Sequence, residues 1–158
     1  MFQHTVTAYK LFRTLKTREG LYPLFIGKTV PTPENEWIEA QFLPTKGFAP
    51  RPGWHAGVLP IAPHLRTREN RIHPDRVWAE VSLPADYDWQ RVADQSSTRD
   101  IRDRVPTAGH YCFKTNKMQG GAWLIGGAIR IEKVLNDDAV YDILSTAGFD
   151  PRPELKGV

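Results

Sequence analysis

The sequence predicts an α+β fold: one small domain on a strand-rich, split or mixed β-sheet, with few short helices and a C-terminal helix. Three observations predict it. Segments rich in β-branched and aromatic residues recur along the chain, several of them alternating apolar and polar positions. Thirteen prolines and twelve glycines are scattered through the sequence, as short strands joined by turns require. No regular helical segments separate the strands, which argues against the repeated crossovers of a parallel α/β sheet.

Taken in order, Thr5 to Thr14 carries Val6, Ala8, Tyr9, Leu11 and Phe12 and is expected as the first strand. Leu21 to Ile26 is a short apolar strand with an edge-type proline, Pro23. Glu36 to Leu43 alternates and predicts another strand; the proline- and glycine-rich stretch from Pro44 to Gly53 is a loop. Trp54-His55-Ala56 starts a short element, and Ala62 to Arg68 suggests a brief helix. Arg76 to Leu83 is a strand with Val77, Ala79 and Val81 on one face, Trp78, Glu80 and Ser82 on the other, and Pro84 at its end. The polar stretch Trp89 to Asp103 is expected either to hold a helix near Trp89 to Asp94 or to be mobile; a strand is expected over Gly109 to Lys114, and a strand or bulged strand pair over Ala122 to Val134. The last element is a helix capped by Asn136, with Asp137 and Asp138 at its positive end and Gly148 at C′. The globular domain is expected over residues 1–149, with 150–158 as an exposed tail.

The chain has 158 residues, a net charge of +3 and one cysteine, Cys112. That length suffices for a core without a disulfide or metal. No apolar run is long enough to span a bilayer, and the N-terminus lacks a signal-peptide pattern. A soluble cytoplasmic protein with no membrane partner is expected. The densest basic stretch, Arg66, Arg68, Arg71 and Arg76, is interleaved with acids, so nucleic-acid binding is the third choice among functions.

Two segments carry the functional expectation. Arg51-Pro52-Gly53-Trp54-His55-Ala56-Gly57 is a turn that delivers an aromatic ring and an imidazole together. Trp123 to Leu135 is strand-like with Gly126-Gly127 in its middle, and a strand glycine marks a bulge or a close approach to the backbone. Together they suggest a cleft. His55, His64, His73 and Glu80 lack the spacing of a compact zinc motif, so no metal is expected. No hydrolase elbow or phosphate-binding loop is present either.

The order of these segments resembles the ADP-ribosyltransferase-like fold. Tyr9-Lys-Leu-Phe-Arg13 is similar to its early strand, Gly53-Trp54-His55-Ala56 to its turn, Val77-Trp-Ala-Glu-Val81 to its middle strand, and Ala122 to Ile131 to its late strand. The resemblance implies an NAD-binding domain with His55, Arg13 and Tyr111 in the catalytic positions, and Trp54, Gly53, Trp123 and Gln119 against the cofactor. If there is an activity, it implies ADP-ribosyl transfer from NAD. The family places a glutamate where this chain has Gln119-Gly120-Gly121-Ala122; glycine and alanine cannot stabilise a cationic ribosyl transition state, which implies altered or lost catalysis. The chain also resembles an uncharacterised domain of phage and plasmid proteins, on the Arg-Pro-Gly-Trp-His and Trp-Leu-Ile-Gly-Gly-Ala segments. That resemblance implies a mobile-element origin and offers the alternative of a non-catalytic interaction module, related to host defence, with a host protein as partner.

Overall fold

The computed structural model describes residues 2–24, 30–40, 53–91, 105–113 and 122–157. Nine strands lie among them: β1 (Thr5–Leu15), β2 (Arg18–Tyr22), β3 (Ile38–Glu39), β4 (Trp54–Gly57), β5 (Arg76–Pro84), β6 (Tyr87–Asp88), β7 (Gly109–Phe113), β8 (Trp123–Gly126) and β9 (Ala128–Val134). They form one sheet in the order β3-β9-β5-β1-β4-β8-β7-β6, with β2 also paired to β1. The pairing is antiparallel except between β6 and β7, so the sheet is mixed and the α+β prediction holds.

The expected bulged pair over Ala122 to Val134 determines the shape. β8 pairs with β4 and β7, whereas β9, one residue further on, pairs with β5 and β3. The run β9-β5-β1-β4-β8 therefore begins and ends in consecutive stretches of chain, and the sheet curls round until its ends meet at Gly127. Contacts across the curl agree: the Trp54 indole on β4 donates to the Ile38 carbonyl on β3 at 3.0 Å. His110 Nδ1 on β7 lies 2.9 Å from the Pro84 carbonyl at the end of β5; because a carbonyl only accepts, this nitrogen carries the imidazole proton.

Curling gives the sheet two apolar faces. Ala8, Phe12, Ala56, Ala79, Val81, Leu83, Leu124, Ile129 and Ile131 fill the inside. Leu11 and Trp78 face outward, against Ala62, Ile72, Leu135, Val140, Leu144 and Leu155. β1 and β5 run side by side from Thr5↔Pro84 to Arg13↔Arg76. The expected division of β5 is observed, and Trp78 is a core anchor.

The outer layer is built on α1 (Asp137–Thr146), which forms as its end signals predict. The Asn136 side chain accepts from Ala139 N at 2.9 Å. At the other end Gly148 adopts φ +85°, while Gly148 N donates to Ser145 O and Phe149 N to Leu144 O. This closes a Schellman motif. Among the described residues no helix is long and apolar enough to cross a membrane.

Several elements differ from expectation. The second strand lies earlier, at Arg18–Tyr22, because it pairs with β1 across a turn rather than following its own apolar run. The Glu36–Leu43 strand reduces to Ile38–Glu39 within the described residues, and the brief helix is one 3₁₀ turn at Pro63–Leu65. Of the helix expected near Trp89 to Asp94, residues 89–91 are described: Gln90 and Arg91 are helical and Trp89 is not, and the rest lies outside the described residues. The exposed tail is corrected: Glu154 and Leu155 are 2 % and 6 % exposed, in and just after a second 3₁₀ turn, Arg152–Glu154. Ile72 N donates to Pro153 O, and the Asp137 carboxylate accepts from Lys156 N and Gly157 N. The tail is the strap that closes the outer core.

Candidate functional site

Strand register sorts the predicted site residues. His55 on β4 pairs with Ile125 on β8, which pairs with Tyr111 on β7. Directly opposed residues point to one face, so His55 and Tyr111 share the outer face with Ile125 between them. Two strand spacings separate them, about 10 Å between Cα atoms. Trp123 pairs with Gly57, and Gly57 with Tyr9, so Trp123 and Tyr9 lie on that face as well. Arg13, four positions along β1, also faces outward, between Arg76 and Tyr22. Arg13, His55, Tyr111 and Trp123 thus share a face, but Trp54, one residue from His55, faces inward. Gln119 and the Gly120-Gly121 pair lie outside the described residues.

The outer row is packed rather than open. Ile125, its centre, has no exposure. Gly53 sits against it at φ +140°, where an added Cβ would strike Ile125 Cγ2 and crowd Val105. Trp123 meets the His64 ring edge-to-face at 5.5 Å and packs on the outer core. Nearby on this face, burial and then the Glu80 charge push the Tyr9 phenol up from its ordinary value.

The strand glycines are corrected in the same sense. A close approach does occur at each, but the protein's own chain makes it. A Cβ on Gly126 would meet Leu83, and one on Gly127 would run into the Pro106 carbonyl and the Thr107 backbone. The pair therefore closes the curled sheet on itself and leaves no cleft floor at this point.

On the inner face stands a residue that the sequence reading passed over, Lys10. It pairs with Ala79 in the middle of β1, flanked by the inward Ala8 and Phe12. Its ammonium donates to the His55 carbonyl at 2.8 Å. The same nitrogen lies 5.8 Å from the Phe12 ring centre and 5.7 Å from that of Trp54, within cation–π range. No carboxylate pairs with it among the described residues. Burial pushes its pKa down to about 8, because the ammonium loses water and gains no anion. A lysine at an inward position between Ala8 and Phe12 was the available signal, since an amine is rarely placed on a core-facing strand position.

No family model matches the chain, and neither a curated protein nor a solved structure does. Function therefore rests on the geometry.

Elsewhere the charges are engaged internally. Arg66 pairs with Glu154 at 2.8 Å, Arg71 donates to the Leu155 carbonyl, and Arg76 pairs with Asp75. Of the four arginines considered for nucleic acid, three are committed to the protein's own acceptors. Glu132 accepts from Ser82 and Arg130; burial works against its ionised form, but these bonds and the Arg130 charge hold its carboxyl below the usual range.

Proposed function

We propose that this chain is a binding domain for a small anionic molecule of the nucleotide class, NAD or a relative, held at Lys10 and Trp54 without transfer chemistry. One observation carries the reading: an ammonium with no acidic partner among the described residues lies within cation–π range of two aromatic rings on the inner face. A phosphate supplies the missing anion through a charge-assisted hydrogen bond. A flat base has the Trp54 ring to stack on, a contact of about 1–3 kcal/mol. The resemblance to NAD-binding domains supports the choice of ligand, and the missing glutamate at 119–122 supports binding over transfer. In the reducing cytoplasm the free thiol of Cys112 is stable.

Isothermal titration and thermal unfolding with NAD, ADP-ribose, AMP and inorganic phosphate test the proposal. Expected are measurable heat and a raised midpoint with the nucleotides at millimolar concentration, and a weaker effect with phosphate alone. No heat and no shift with any of the four overturns it and turns the search to a protein partner.

A further inference from the structure

We infer that Lys10 is also a carbonyl-capturing amine, at which an aldehyde borne on a flat aromatic molecule forms an imine with Nζ. This goes beyond nucleotide binding and does not require it. An amine attacks a carbonyl only when neutral, and surface lysines stay protonated because water and nearby acids stabilise the ammonium. At Lys10 both supports are reduced. The residue is only partly exposed, and its cross-strand neighbour on β5 is Ala79. From β4 it receives the His55 backbone carbonyl and the uncharged Trp54 ring. Glu80 and Glu132 lie on the opposite face, and Glu39 on β3 is exposed. The lowered pKa follows from the same surroundings. The rings of Phe12 and Trp54 return part of the lost hydration, and the partly exposed Trp54 ring also provides a surface for an aromatic aldehyde.

The step balances without a further reactant. The neutral nitrogen attacks the carbonyl carbon, forming the C–N bond of a carbinolamine. The carbonyl oxygen then leaves as water with the two protons that nitrogen gives up, and a C=N bond remains. The His55 carbonyl accepts one N–H and so fixes the direction of the lone pair before attack.

The test is reductive trapping on the full chain. Pyridoxal, which has an aromatic aldehyde and no phosphate, is added with cyanoborohydride, and the adducts are mapped by peptide mass spectrometry. The chain has eight lysines, so each serves as an internal control. Expected is at least tenfold more adduct on Lys10 than on the average of the other seven, with half-maximal labelling near pH 8. The excess should vanish in urea, where all lysines are equivalent, and the site should fall silent in Lys10→Arg. Labelling spread over the lysines by exposure, or a Lys10 excess that survives in urea, overturns the inference. AMP titration on the same sample separates the two proposals: binding without Lys10 trapping sinks only this one, and trapping without binding sinks only the nucleotide reading.

Discussion

The Glu154 carboxylate accepts a hydrogen bond from the Trp78 indole at 3.1 Å, which joins the C-terminal strap to the middle of β5. Its other oxygen accepts from Ala62 N at 3.1 Å and from the Arg66 guanidinium. One carboxylate thus satisfies donors on three residues, two flanking the Pro63–Leu65 turn and one on β5, and it is 2 % exposed. Glu154→Ala leaves the Arg66 charge without its anionic partner, with the Asn70 side-chain oxygen still accepting from it, and the Trp78 N–H without its acceptor. The expected loss is about 3–5 kcal/mol, the cost of breaking a buried ion pair from one side. Glu154→Gln keeps an acceptor for Trp78 and is expected to lose less. Urea unfolding of the three proteins checks the order, and an unchanged midpoint in Glu154→Ala would refute the assignment.

Two glycines make a contrasting pair. Gly148 adopts φ +85° with nothing within 4 Å of an added Cβ, so Gly148→Ala meets only backbone strain. About 1 kcal/mol is expected. Gly127→Ala sets a methyl group on the Pro106 carbonyl and the Thr107 backbone, which cannot move aside as a flexible side chain does. A loss of at least about 3 kcal/mol, or no folded protein, is expected there. Similar melting temperatures for the two variants would show that the sheet does not close at Gly127.

How much of this was legible in the sequence differs from element to element. β1, β5 and α1 were legible because their information is local: alternation and end residues identify them wherever the chain goes. The strap was not, because Pro151, Pro153 and the charges around them have the composition of a loose end. Only the distant donors at Ala62, Arg66 and Trp78 bury Glu154. The site was legible in its faces but not in its closure. Alternation puts Trp54 and His55 on opposite faces, yet nothing local indicates that Ile125 is sealed between His55 and Tyr111, or that Pro106 takes the space over Gly127. Lys10 was visible as a lone amine among inward residues, but its two ring neighbours required the curl of the sheet to be known.

The alkaline pH dependence of stability should carry the signatures of Lys10 and Tyr9. The folded pKa of Lys10 is about 8, below its ordinary 10.5. Between those values the unfolded chain binds the proton that the folded one has released, so stability rises with pH across that window. The shift corresponds to about 3 kcal/mol at most, and the partial exposure of Lys10 reduces it to about 1 kcal/mol. Tyr9 acts in the opposite direction: its raised pKa keeps the folded phenol protonated where the unfolded one ionises, so stability falls as pH climbs through 10. Denaturant midpoints from pH 7 to 11 should pass through a maximum. Lys10→Met should flatten the rising limb and Tyr9→Phe the falling one; a wild-type profile in Lys10→Met would refute the burial of this amine.

Ligand binding discriminates the two faces of the sheet. If nucleotides bind at Lys10 and Trp54, Lys10→Met removes the ammonium in contact with that ring, and Trp54→Ala removes the stacking surface. Each should weaken AMP binding by at least tenfold, in line with about 1–3 kcal/mol for a stacked base or a charged hydrogen bond. Trp54→Phe keeps a ring and loses the indole bond to Ile38, so it should bind at an intermediate level while holding the fold. His55→Ala and Tyr111→Phe alter side chains on the opposite face, and His55 meets Lys10 only through its backbone carbonyl. Both should bind as the parent does. The resemblance to NAD-binding domains implies instead that His55 and Tyr111 contribute, with Trp54 against the cofactor as well, so His55→Ala, Tyr111→Phe and Lys10→Met are the variants that separate the two readings. Titration calorimetry on the five variants, each first confirmed folded by circular dichroism, decides between the inner face and the outer one.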